Sequence, residues 1–171
     1  MAININPVHI PKAYVYLVSL TDDAIDWNAS FPDVHEAATE EEVLTGVEAK
    51  KHKYKEDYDI KNLVFIAGKL PTVFKFKNPS ILANKEALDS ARTEAFISLN
   101  PKQKKPSPGA LNRCIWNACF CSYSQGLDGE AEYTVTKNTV ASEYLQAFSD
   151  AGVLSEFALV INTMADSKKK S

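Results

Sequence analysis

The side chains of this 171-residue chain best suited to chemistry are three cysteines, Cys114, Cys119 and Cys121, spaced C-x4-C-x-C. Structural zinc sites use ligand pairs two to four residues apart with a second pair elsewhere, which this spacing does not supply. On a helix Cys119 and Cys121 point about 200° apart, so they cannot share an ion without breaking it. An odd number of cysteines crowded into one stretch argues for free thiols rather than a disulfide framework, and the three read as small buried hydrophobes. His9, His35 and His52 are scattered through the polar N-terminal third, and nothing in their spacing supports a Cys/His nucleophile pair. Carboxylate pairs such as Asp22 with Asp23, or Asp57 with Asp59, fit caps and solvated surface. The six glycines form neither the dinucleotide-binding pattern nor a phosphate loop, and there is no G-x-S-x-G elbow. No catalytic residue, metal ligand, cofactor or small-molecule substrate is assigned, and the chain reads as non-enzymatic.

Charge is the stronger signal. Net charge is −3, but residues 1–60 carry 5 Lys/Arg against 12 Asp/Glu, residues 61–113 carry 10 against 3, and residues 114–171 carry 4 against 7. A basic middle lies between acidic flanks. Either the acidic N-terminal stretch covers it, from the same chain or a neighbour, or it steers a partner in. The side chains expected to meet a partner are Lys75, Lys77, Lys102, Lys104, Lys105 and Arg113, together with Trp116 and Phe120 on an apolar helix. The same cations could track a nucleic-acid backbone, so a nucleic-acid-binding accessory protein is the alternative reading.

These residues need elements to hold them. Residues 13–18 are β-prone at almost every position and predict a strand. Residues 63–67 and 72–77, joined at Gly68-Lys69-Leu70-Pro71, predict a hairpin with Phe74 and Phe76 on one face and Lys75 and Lys77 on the other. Thr39 with Glu42 makes a capping box for a helix over 39–52, with Val43, Leu44 and Val47 as a narrow apolar stripe. A helix from Asn78-Pro79 to about residue 99 presents Leu88, Ala91, Ala95 and Leu99 on one face. A largely apolar helix over 109–123 follows, with Arg113, Asn117 and Ser124 on its polar strip. Residues 131–137 predict a strand, Asn138 or Thr139 caps another helix that ends at Gly152, and 154–164 form the last helix. With 45% hydrophobic residues the chain has enough apolar surface for one core. The expected fold is α+β: a small antiparallel sheet built on the central hairpin and covered by about four helices. Three segments are expected, an acidic N-terminal arm (1–60, a strand plus a solvated helix), an α+β core (61–165) and a mobile lysine tail (166–171).

The run Gly68-Lys69-Leu70-Pro71-Thr72-Val73-Phe74-Lys75-Phe76-Lys77-Asn78-Pro79, a strand of the form P-T-x-F-x-hydrophobic-K followed by helices, resembles the opening of small bacteriophage tail-assembly chaperones and related virion assembly proteins. The resemblance covers about residues 60–125, and the acidic 60-residue N-terminal stretch departs from it. It implies a non-enzymatic protein that binds itself or a larger viral structural protein, and it transfers no specific residue. It also implies a place in the host cytoplasm or the virion. The N-terminal residues, with no basic leader and too short an apolar run for a signal peptide or for a membrane span of about 20 residues, predict a chain neither secreted nor transmembrane.

Overall fold

The computed structural model describes residues 12–32, 46–97, 102 and 105–166. They form an α+β fold: a four-stranded antiparallel sheet of β1 (Tyr14–Val18), β2 (Thr72–Lys77), β3 (Phe120–Gln125) and β4 (Ala131–Thr134), in that order. The helices are α1 (Trp27–Ser30), α2 (Gly46–Lys55), α3 (Leu82–Ile97), α4 (Pro108–Cys119), α5 (Ser142–Asp150) and α6 (Val153–Asp166), with a 3-10 turn at Ile60–Asn62. The chain divides into two compact units. Among the described residues, one takes those up to Val15, those from Phe76 to Phe120 and those from Val135 on; the other takes those from Tyr16 to Lys75 and from Cys121 to Thr134.

The first unit is built on an aromatic cluster. Phe76 meets Trp116, Phe120 and Phe157 at centroid separations of 5.0, 5.4 and 5.8 Å, and Trp116 stacks on Phe148 at 5.0 Å. These separations and tilts are the ones aromatic rings favour, because the edge of one ring meets the electron-rich face of the next. Around the cluster α4 packs against α3 and α6, and α5 against α6. Local chemistry fixes the helix ends. Ser107 caps α4 by accepting from the Ala110 amide, Pro108 starts the helix where its missing N–H costs nothing, and Gly152 at φ 78° closes α5. Asn78 begins a turn rather than a helix: its Oδ1 accepts from the Ser80 amide, and α3 starts four residues later.

The second unit holds a row of rings, Trp27 of α1, Tyr54 of α2 and Tyr58 just beyond it. Tyr54 packs against Trp27 and Tyr58, and its hydroxyl donates to the Val18 carbonyl at 3.0 Å from a fully buried side chain. Phe74 stacks on Tyr123 at 5.7 Å. The acidic stretch meets the basic one here. The Asp22 carboxylate accepts from the Thr72 amide at 2.8 Å, and Asp23 pairs with Lys69 at 3.7 Å on the surface.

Several expectations give way. Residues 63–67 do not pair with β2; their backbone is taken by residues 24–26, through Asp26 N–H to the Val64 carbonyl (2.8 Å) and Ile66 N–H to the Ala24 carbonyl (2.7 Å). The hairpin in this structure is β3–β4, in register Ser122 with Thr134 and Tyr123 with Tyr133, with a bulge after Tyr123. Consequently the helix expected over 109–123 stops at Cys119, and Cys121 and Tyr123 lie on a strand. Asn138 and Thr139 cap no helix. Asn138 sits with Lys137 in a tight turn closed by the Thr136–Thr139 bridge, and α5 starts after Ala141 without a side-chain cap. On α2, Val47 is exposed and the buried anchors are Ala49 and Tyr54, with the Lys50 ammonium held by Asn28 Oδ1 at 2.7 Å. The capping box and residues 39–45 lie outside the described residues, as do residues 98–101 and the lysine tail from 167. Residues 14–18 and 46–60, expected in a separate arm, contribute Leu17, Val18, Tyr54 and Tyr58 to the buried set.

Candidate functional site

The strand β2 distributes its cations by simple alternation: Val73, Phe74 and Phe76 are buried, while Lys75 and Lys77 are half-buried. Each lysine enters a different cleft. In the second unit, Lys75 lines a cleft of about 270 Å3 with Tyr16 of β1, Ser122 and Ser124 of β3, and Leu127 of the β3–β4 turn. In the first unit, Lys77 lines a cleft of about 330 Å3 between α3 and α4, with Asn117, Glu94, Cys114 and Asn138. There its ammonium group donates to Asn138 Oδ1 at 3.5 Å, and Asn117 Oδ1 accepts from the Val140 amide at 2.9 Å.

The remaining expected partner residues part company. Lys102, Lys105 and Arg113 are exposed, the first two between α3 and α4 and the third on α4. Lys104 lies outside the described residues. Trp116 and Phe120 are 0% and 2% exposed, so they build the core and offer a partner no surface. Trp116 lies in the last turn of its helix and Phe120 opens β3, and both face the cluster of Phe76, Phe148 and Phe157.

Exposed apolar surface lies elsewhere. In the second unit Leu70 is 68% and Leu127 55% exposed. Their loops meet at Gly126, which, at φ 86°, donates its N–H to the Pro71 carbonyl at 2.7 Å and has Leu70 Cδ2 against its open side. A side chain on residue 126 would press on Leu70, so the glycine serves both the turn and the close approach. Val64 and Ile66 are also exposed in this unit. Nothing in the sequence marked Leu127, because its neighbour Leu70 lies 57 positions away and only the fold joins them.

Cys114 is half-buried, and burial pushes its thiol above the usual thiol range; the Arg113 guanidinium works in the opposite direction and Glu94 adds to the rise. A thiol held protonated is a weak nucleophile and a poor metal ligand. Among the described residues no group of His, Cys, Asp and Glu has the geometry to hold a metal ion, and no helix is long and apolar enough to cross a membrane. No protein-family model matches this chain, and neither a curated protein nor a solved structure matches it.

Proposed function

We propose that this is a non-enzymatic bacteriophage structural or assembly protein that acts by protein–protein association, with itself or with a larger virion protein. The observation that carries the reading is Leu70 and Leu127, two large apolar side chains left open to water on loops that the Gly126 N–H to Pro71 carbonyl hydrogen bond ties together. Covering such surface gains roughly 25 cal/mol per Å2. The kind of partner is taken from the resemblance of the run 68–79 to tail-assembly chaperones. Native mass spectrometry across micromolar to millimolar chain concentration tests it. The expected result is a concentration-dependent oligomer whose dissociation constant rises at least about tenfold in Leu70→Asp and in Leu127→Asp, a loss of about 1.4 kcal/mol or more. A chain that is monomeric throughout and captures no virion protein overturns the proposal.

A second reading, nucleic-acid binding, draws on the Lys75 cleft, where a cation, a tyrosine ring and two hydroxyls share the surface of one sheet. An aromatic beside a lysine suits a stacked base and its phosphate. Titration with single- and double-stranded DNA at rising salt tests this: affinity must fall with salt, and salt-independent or absent binding rules it out.

A further inference from the structure

The α3–α4 cleft of the first unit has a construction that the association reading does not use, and it involves neither Leu70 nor Leu127. Its floor is made of small side chains, Ala91 of α3 and Ala118 of α4 among them, which keep the two helices from filling the space. The volume of about 330 Å3 gives room for a molecule the size of a free amino acid. Its polar groups come from four separate pieces of chain: Lys77 from the end of β2, Glu94 from α3, Asn117 from α4 and Asn138 from the turn before α5.

Two of these groups are positioned in advance. Asn117 spends its carbonyl oxygen on the Val140 amide, so what its side chain can offer a ligand is the NH2 group. Asn138 holds one N–H of the Lys77 ammonium and leaves the other two as donors. It sits in the two-residue turn closed by the Thr136–Thr139 bridge, where Lys137 and Asn138 both take φ 56°.

We propose that this cleft binds a small zwitterion of the free amino-acid type, its carboxylate received by Lys77 and Asn117 and its ammonium group by Glu94, with the alkyl part against the alanine floor. The charges favour a zwitterion over phosphate: the lining carries one ammonium and one carboxylate, so a dianion sets surplus negative charge against Glu94, whereas an amino acid matches each sign once.

The test is a titration of the 15N-labelled full chain with a panel of free amino acids, using the corresponding carboxylic acids, the corresponding amines and inorganic phosphate as controls. At least one amino acid should give saturable shifts in the Asn117 and Asn138 side-chain NH2 signals, with a Kd of about 1 mM or lower, and its one-charge counterparts should bind at least about tenfold more weakly. Lys77→Met should weaken binding by a similar factor. Asn138→Gly should do so while preserving the spectrum of the fold, because glycine accepts the left-handed turn. Ala91→Leu, which plugs the floor, should abolish binding. The proposal is overturned if no amino acid saturates by about 20 mM, if a carboxylic acid or phosphate alone binds as tightly, or if folded Ala91→Leu binds as the parent does.

Discussion

Trp116 donates its indole N–H to the Leu154 carbonyl at 2.8 Å and has no exposed surface, so it fills volume and satisfies an acceptor at once. The two roles separate by substitution. Trp116→Ala removes the centre of the aromatic cluster and should cost about 3–5 kcal/mol, read as a shift of the urea midpoint. Trp116→Phe keeps most ring contacts but removes the indole N–H donor to Leu154, whose carbonyl lies in the first turn of α6, for a cost of about 0.5–1.5 kcal/mol. An equal loss in both would show that the hydrogen bond, and not the ring packing, carries the contribution of this side chain. Cys114 offers a titration. Because burial raises its folded pKa, the thiolate appears at higher pH than in an unfolded thiol, and site-resolved alkylation should show a rate midpoint above the ordinary thiol range. Glu94→Gln removes a carboxylate that adds to the rise, so the midpoint should move down; an unchanged midpoint would assign the rise to burial alone, against the lowering by Arg113. The sign for stability follows: a raised folded pKa contributes stability fully present below the unfolded thiol pKa and lost as pH climbs through the folded one.

The β3–β4 hairpin is set by the turn that joins its strands. A Cβ on Gly129 would overlap the Gln125 carbonyl oxygen, part of the backbone that forms the turn, and nothing flexible can give way. Gly129→Ala should therefore cost about 2 kcal/mol or more in a thermal melt. Gly109, in the first turn of α4, has nothing near its missing Cβ, and Gly109→Ala should stabilise by about 0.5 kcal/mol through helix propensity. If both variants melt alike, the turn geometry is wrong. Elements written in local chemistry were legible in the sequence: β1 and β2 in their β-prone runs, the close of α5 in Gly152, and α6 in its apolar spacing. Elements decided by a distant partner were not. Residues 63–67 have strand-like composition but bond to residues 24–26, and Phe120 and Tyr123 suit a helix face until β4 supplies hydrogen bonds to β3. The clefts follow the same logic. Asn117 was visible as part of the polar strip of α4, but its meeting with Asn138 and Lys77 depends on the fold of four segments.

At the scale of the molecule, the charge pattern suggested an acidic N-terminal arm laid over an independent core, and the architecture gives that stretch more to do. Each unit is assembled from segments that are discontinuous in sequence: the chain passes from one to the other at Val15/Tyr16, Lys75/Phe76, Phe120/Cys121 and Thr134/Val135. Within the second unit, residues before 61 supply Leu17, Val18, Ile25, Phe31, Tyr54 and Tyr58 to the buried set, and Asp22 supplies the acceptor for the amide that starts β2. Each fully buried large apolar side chain contributes about 1.5–3 kcal/mol, so losing six exceeds much of the roughly 5–15 kcal/mol by which a domain is stable. The fragment 61–165 should thus fail to fold on its own. It should keep helical far-ultraviolet circular dichroism from α3 to α6, lose near-ultraviolet signal, bind a hydrophobic dye and unfold without a sharp transition, while the full chain unfolds cooperatively. A fragment with dispersed amide resonances and a cooperative melt would restore the picture of a detachable acidic arm. Failure to fold would mean instead that the acidic residues are kept as much for the sheet they complete as for the cations they face.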